Sequence, residues 1–446
     1  MTPDSPSPPG RTGPELYVRA KKRIPGGTQL LSKRPEMFLP DNWPAYYQRA
    51  EGCTIWDLDD RPLVDFTSCG IGCCLLGYAD PVVNAAVTDR ISRGGMCTLN
   101  SPDEVTLADR LCEIHPWAEQ VRYARAGGEA MSIAVRIART ATGRDTIAFC
   151  GYHGWSDWYL AANLGETGAL NGHLLPGLEP AGVPAALRGS ALPFRYNRIE
   201  ELEAIVAAQK GRLAAIVMEP MRYDAPRDGF LEKVRALANA AGAVLIFDEI
   251  TSGWRTEHGG IHLGLGVAPD IAVFAKSISN GFPMAAIIGR ASVMEAAQRT
   301  FVSSTYWTEG IGPAAALATL ARLKSVNATG HIQTIGELTR AGWRAAAQRH
   351  GLAVTVGGIP ALCSFGFNYA EESRRLMTLF TQGMLERGFL ANGAFYPTCA
   401  HTPEQVQRYL QAVDAVFAGL KSAIENQTVA SSLRGPVAHS SFARLT

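Results

Sequence analysis

Two short apolar runs in this chain each end on a charge. Asp248 closes Ala243-Val-Leu-Ile-Phe247, and Lys276 follows Ile271-Ala-Val-Phe-Ala275. Runs of this length between turn signals read as buried strands of a parallel sheet. Charges at the carboxyl ends of such strands stand where open α/β sheets bind ligands. A desolvated lysine is costly unless it is used or paired, and the same desolvation makes its amine a better nucleophile toward an aldehyde. A carboxylate beside a pyridine nitrogen keeps that nitrogen protonated and makes the ring an electron sink. The pair therefore suits pyridoxal 5'-phosphate (PLP), with Lys276 for its aldehyde and Asp248 for its ring nitrogen. Ile250 follows at an offset suited to packing on a ring face. Taken singly, each charge is equally what an ordinary strand end carries.

Two loops extend the pattern. Ala126-Gly127-Gly128-Glu129 lies between a strand signal and a helix signal. Glycines there let backbone N–H groups approach a phosphate at a helix N-terminus, or simply form a turn. Gly151-Tyr152-His153-Gly154-Trp155 follows another strand signal, and Tyr152 suits stacking on an aromatic cofactor or a place in the core. No metal site is read. Cys69-Gly-Ile-Gly-Cys-Cys74 lacks a second ligand pair, and His258 and His262 are separated by glycines without an acidic third ligand. Nine scattered cysteines, an odd number, point to reduced thiols in the cytoplasm.

The elements that must position these residues alternate. Helix signals cover 105–114, 129–141, 199–209 and 231–240. Strand signals cover 121–124, 146–150, 214–218, 243–247, 271–275 and 285–288. Such alternation implies a mostly parallel sheet with helices on both faces, an α/β fold. A hairpin is expected over 54–66 and a helix over 16–24. The stretch 160–192, rich in Gly and Pro, has little periodicity and is expected to be a loop that could serve as a lid. At Asn327 the pattern changes to a smaller α+β region, whose last helix has Thr402 as N-cap and Pro403 at its first position. The expected division is a disordered leader (1–14), an N-terminal segment (15–80), a large domain (81–326) and a small domain (327–446). With 446 residues, 47% hydrophobic and 19% charged, the chain has the balance of a soluble globular protein. A net charge of +1 gives no electrostatic case for nucleic acid or membrane, and no apolar run approaches the roughly 20 residues that span a bilayer.

The order of these motifs resembles the class III, fold-type I PLP aminotransferases. Phosphate loop, aromatic loop, Met218-Glu-Pro220, Phe247-Asp-Glu-Ile-Thr-Ser-Gly-Trp-Arg255 and Ala275-Lys-Ser-Ile-Ser-Asn-Gly-Phe-Pro283 appear in that family's sequence order. The resemblance runs from about residue 25 to 402 and is nearest the glutamate-1-semialdehyde aminomutase branch. It implies that Lys276 is bonded to PLP and later moves a proton between substrate and cofactor carbons. It implies that Asp248 pairs with the ring nitrogen, Tyr152 stacks on the ring, and Gly127 and Gly128 offer N–H groups to the phosphate. Thr305 matches the threonine that such enzymes lend to the neighbouring subunit's phosphate, which implies a homodimer with shared active sites.

Departures from the family pattern bear on the substrate. The Ser-Gly-Thr often found in the phosphate loop is Ala126-Gly127-Gly128, and the Asn-Pro usual after the threonine is Glu309-Gly310. The Ser and Arg that hold the aminomutase substrate's carboxylate fall at Leu30 and Lys33, with Arg34 adjacent, and its C-terminal Glu falls at Gly393. Three functions are weighed. The first is an aminotransferase moving an amino group from a small donor, commonly glutamate, to a carbonyl acceptor of sugar or aminoglycoside type, a setting of antibiotic biosynthesis. The second is a PLP isomerase, an aminomutase or epimerase, which would turn over without a donor. The third, a dinucleotide-binding protein prompted by Gly70-Ile-Gly72 and Gly77, fails because its third glycine comes two positions late for the fingerprint.

Overall fold

The computed structural model describes residues 12–166, 168–173 and 177–439. Contacts divide the described residues into two compact units, one built from 12–80 together with 330–439, the other from 81–329. The second unit carries a seven-stranded sheet. Its strands lie in the order Gln120–Ala124, Ala285–Gly289, Ile271–Phe274, Val244–Asp248, Leu213–Met218, Thr146–Cys150, Ala191–Pro193. Contiguous strands from Ile271–Phe274 to the 191–193 edge pair in parallel, and Ala285–Gly289 runs antiparallel between its two neighbours. The alternation of signals therefore corresponds to a mostly parallel sheet, with one reversed strand that periodicity does not distinguish.

Every residue of Leu213–Met218 and Val244–Asp248 is buried. Strands covered on both faces must be apolar throughout, which is why they appear in the sequence as unbroken runs. The helix Gly127–Thr142 buries Ala130, Met131, Ile133, Ala134, Val135, Ile137 and Ala138 in the same core cluster as Ile246, Val273 and Ile287. It ends where Gly143 takes a left-handed φ of 65° and donates its N–H to the Arg139 carbonyl. Short helices at Asp157–Leu160 and Ala162–Gly165 begin the stretch expected to be loop. Ala161 and Leu170 are fully buried in the core, so the described part of that stretch is anchored on the sheet.

The first unit holds a four-stranded sheet, Tyr47–Glu51, Thr54–Asp57, Pro62–Phe66 and Phe389–Ala391, and a three-stranded one, Val354–Gly357, Cys363–Phe367 and Ala394–Phe395. Phe389–Ala391 pairs in parallel with Pro62–Phe66, which joins the N-terminal segment to the C-terminal region. Phe66 stacks on Tyr409 at 4.0 Å between ring centroids. The final helix, Pro403–Glu425, carries the expected cap as a full capping box of Thr402 and Gln405. One expectation needs correcting. The first helix is Thr12–Lys21, so it takes in residues 12–14 of the expected leader and stops short of Ile24. The rest of that leader, 1–11, lies outside the described residues.

Each unit buries a neutral histidine, and a pH dependence follows. His401 lies between the rings of Phe66 and Phe395, with Nε2 on the Asp65 carbonyl and Nδ1 within reach of the Thr398 hydroxyl. His115 stacks on His262 with Nδ1 on the Leu111 carbonyl. Burial pushes both imidazoles down to about 4. Below a pH of about 6.5 the unfolded chain takes up protons that the native state refuses. Stability is thus fully present above about pH 6.5 and is lost as the pH falls toward 4, by about 3 kcal/mol per histidine. Urea unfolding at pH 7.5 and 5.0 measures this, and a midpoint unchanged between them would contradict it.

Candidate active site

Asp248 ends its strand with its side chain almost wholly buried, 3% exposed. One carboxylate oxygen accepts the Ile250 N–H at 3.0 Å, and the other faces His153 Nδ1 at 2.8 Å. His153 Nε2 faces the Cys150 carbonyl at 3.0 Å. A carbonyl can only accept, so Nε2 carries a hydrogen, and Nδ1 meets the carboxylate through a second hydrogen between them. Nothing in the local sequence marks His153 for this position. Its two contacts come from 95 residues away and from its own loop, and spacing reports neither.

Lys276 opens a one-turn 3-10 helix, Lys276–Ser279, directly after Ala275, one residue past the strand Ile271–Phe274. Its φ of 50° is left-handed, a conformation costing a residue with a Cβ about 1–2 kcal/mol. Its Nζ donates to the Thr251 hydroxyl at 2.9 Å, and Ser277 Oγ donates to the Gly253 carbonyl at 2.8 Å. The lysine turn and the turn after Asp248 are thus tied together twice. The latter turn is itself held from behind. Buried Glu249 accepts from His262 Nδ1 at 2.7 Å and from the His262 N–H at 2.9 Å, while Trp117 Nε1 donates to His262 Nε2 at 3.0 Å. The tautomer follows from these partners, with the hydrogen on Nδ1. Desolvation works to raise the Glu249 carboxyl, but its contacts with His262 and Ser252 together outweigh it and hold it below its ordinary value.

The glycine loop meets the same turn. The helix Gly127–Thr142 begins at Ala126, which has no side-chain oxygen to accept its first N–H groups. A Cβ on Gly127 would lie 3.0 Å from Ile250 Cδ1, and one on Gly128 would lie 3.3 Å from Trp155 Cδ1. Gly154, at φ 104°, comes against Gly128 so closely that a Cβ there would lie 3.0 Å from the Gly128 Cα. Loops 126–128 and 151–155 therefore pack backbone against backbone. Tyr152 lies edge-on to Tyr159 at 5.8 Å between centroids, and burial, with the Asp248 charge adding to it, raises its phenol.

Thr305 begins a 3-10 turn, Thr305–Thr308, and is exposed. The carbonyls around it are gripped by arginines. Arg125 reaches those of Trp307 and Glu309 at 3.0 and 2.9 Å, Arg136 reaches that of Phe301 at 3.1 Å, and Arg122 that of Val302 at 2.5 Å. Phe301 and Tyr306 are left 83% and 70% exposed. Asp248, Lys276, Ile250, Gly127, Gly128, Tyr152 and Thr305 all lie within one unit. Direct contacts join Ile250 to Asp248 and to Gly127, while Thr305 stands on a surface segment.

Comparison with known proteins agrees with this architecture. Residues 40–417 match the family described as aminotransferase class-III. The chain is 30% identical over 418 residues to the 3-aminobutyryl-CoA aminotransferase of Cloacimonas acidaminovorans (strain Evry), covering 91% of this chain and 96% of that one. It is 30% identical to the 2'-deamino-2'-hydroxyneamine transaminase of Streptomyces kanamyceticus, covering 83% and 91%. It is 32% identical to the glutamate-1-semialdehyde 2,1-aminomutase of Dechloromonas aromatica (strain RCB), covering 91% and 99%. Among solved structures, the PLP-bound FumI protein of Sphingopyxis sp. MTA144 superposes with a TM-score of 0.84 at 27% identity, covering 93% and 97%. The chain belongs to the class III aminotransferases, fold-type I enzymes that work with PLP. The residues fit that cofactor: a buried carboxylate braced by an imidazole, a lysine tied to the turn that follows that carboxylate, and a helix N-terminus with no side chain at its first two positions.

Proposed function

We propose that this enzyme moves an amino group from a small donor, glutamate in this reading, to the carbonyl of a polar acceptor of sugar or aminoglycoside type. The reading rests on one arrangement, the braced Asp248 and the tethered Lys276 on adjacent strands. PLP, when bound, supplies a conjugated ring that takes up the electron pair left as a substrate carbon loses its proton. Lys276 would hold the cofactor through its Nζ, and its amine would serve as the base and acid that carries this proton. Asp248 would keep the ring nitrogen protonated, with His153 behind it. Tyr152 and Ile250 would hold the ring, and the Gly127 and Gly128 N–H groups would hold the phosphate.

The acceptor class draws support from the likeness to the hydroxyneamine transaminase. The aminomutase-type glutamate has no place at Gly393, where even a Cβ would lie 2.6 Å from the Phe365 carbonyl oxygen and 2.8 Å from Met377 Cε. We also infer a homodimer in which Thr305 serves the partner's phosphate. The aromatic exposure of Phe301 and Tyr306 on either side of it supports a covered surface there. Nine free cysteines support residence in a reducing cytoplasm.

A second reading, isomerisation, is favoured by the 32% identity to an aminomutase. One experiment separates the two. The PLP-loaded enzyme is mixed with candidate amines one at a time, and its absorbance is followed. Conversion to the pyridoxamine form by glutamate, reversed by an oxidised amino sugar, is the expected result. Turnover of a single substrate with no donor identifies the isomerase. A wild-type protein that neither binds PLP nor retains it after borohydride overturns both.

A further inference from the structure

Thr251 is 4% exposed, and its hydroxyl accepts from Lys276 Nζ at 2.9 Å. Its position is over-determined. The Thr251 carbonyl receives the Arg255 guanidinium Nε–H at 2.7 Å, and Arg255 is itself 1% exposed. The Gly253 N–H closes back on the Glu249 carbonyl at 2.8 Å, and Glu249 is locked by His262. As a β-branched residue Thr251 has few χ1 choices, so a fixed backbone fixes its hydroxyl. The lysine carries a long flexible stem and loses much rotamer freedom when held in one place. Among the described contacts, Thr251 is thus a rigid acceptor set against a mobile amine.

We propose that Thr251 is a positioning residue for Lys276, holding its ε-amine in place whenever that amine is not bonded to the cofactor. This rests on the reading of Lys276 given above. In the donor half-reaction the amine, once released from the cofactor, would carry a proton from the substrate carbon to the cofactor carbon, and in the acceptor half-reaction it would carry one the other way. Between those moves it gains and loses only that proton. The Thr251 hydroxyl accepts a hydrogen bond from it and keeps its own hydrogen throughout. A tethered amine reaches the proton in the right geometry without searching for it.

The test compares Thr251→Val, Thr251→Ser and Thr251→Cys in the full chain. Trace acylation of the cofactor-free protein, read by peptide mass spectrometry against Lys324 as internal reference, reports the tether without catalysis. Labelling of Lys276 rises about three- to tenfold in Thr251→Val, the scale of one lost hydrogen bond, and returns toward wild type in Thr251→Ser. In the loaded enzyme the donor half-reaction slows by about the same factor. The half-saturating donor concentration does not move, and the isotope effect of an α-deuterated donor grows. Should Thr251→Val not fold, Thr251→Cys keeps the volume with a poorer acceptor and is expected to show the same changes. Folded variants with unchanged labelling and unchanged isotope effect overturn the proposal. Borohydride fixing PLP on a lysine other than 276 overturns the underlying assignment instead.

Discussion

Lys276→Ala is expected to lower the transamination rate by at least about 10⁴-fold, since it removes both the covalent partner and the proton carrier. It is also expected to keep PLP bound noncovalently, because Asp248, Gly127 and Gly128 are untouched. The loss thus appears in the rate and in borohydride fixation, with a much smaller change in cofactor affinity. Peptide mapping of the reduced wild type recovers the cofactor on the peptide containing residue 276. The variant yields none, and one retaining more than about 1% of the rate would contradict the assignment. Lys276→Gly sharpens the test. The left-handed φ of 50° is strained for lysine and free for glycine, so this variant is expected to be no less stable than wild type while equally inactive. Stability kept and catalysis lost is the mark of a residue whose strain serves chemistry rather than folding.

Much of this was legible in the chain itself because burial on both faces imposes a simple signature. Val244–Asp248 and Ile271–Phe274 are fully covered, so they appear as apolar runs, and the charges that end them are conspicuous. The helix Gly127–Thr142 shows its buried stripe and its glycine stop in the same direct way. Four features were not legible, each for a physical reason. His153 braces Asp248 across 95 residues of chain, and no local pattern encodes a contact between two strand ends. Ala285–Gly289 runs antiparallel, but direction leaves no trace in a run of apolar residues. Thr251 carries no signal of its own in the sequence, and only the fold brings its hydroxyl to the lysine. The grip of Arg122, Arg125 and Arg136 on the carbonyls around Thr305 is of the third kind, since backbone acceptors have no residue type.

Asp248→Asn is the second large effect expected, about 10²–10³ in rate, the range in which a lost preorganised charge is felt at a reacting centre. The amide can keep the local geometry. Its oxygen can accept the Ile250 N–H, and its NH₂ can donate to His153 Nδ1, with Nε2 still donating to the Cys150 carbonyl. What it cannot supply is a negative charge to hold a proton on the cofactor's ring nitrogen, so the ring becomes a poorer electron sink. The defect should therefore lie in the step that breaks the C–H bond, and an α-deuterated donor should show a larger isotope effect. His153→Gln tests the brace separately. A glutamine can still hydrogen-bond the carboxylate but cannot share a full positive charge with it, so a loss of about tenfold is expected, with Asp248 still anionic. The order of the two variants carries the argument. If His153→Gln matched Asp248→Asn, the imidazole rather than the carboxylate would be the electrostatic partner, and the role given to Asp248 would pass to the pair as a unit. If Asp248→Asn kept full activity, ring-nitrogen protonation would not limit this enzyme, and Lys276 alone would carry the proton chemistry.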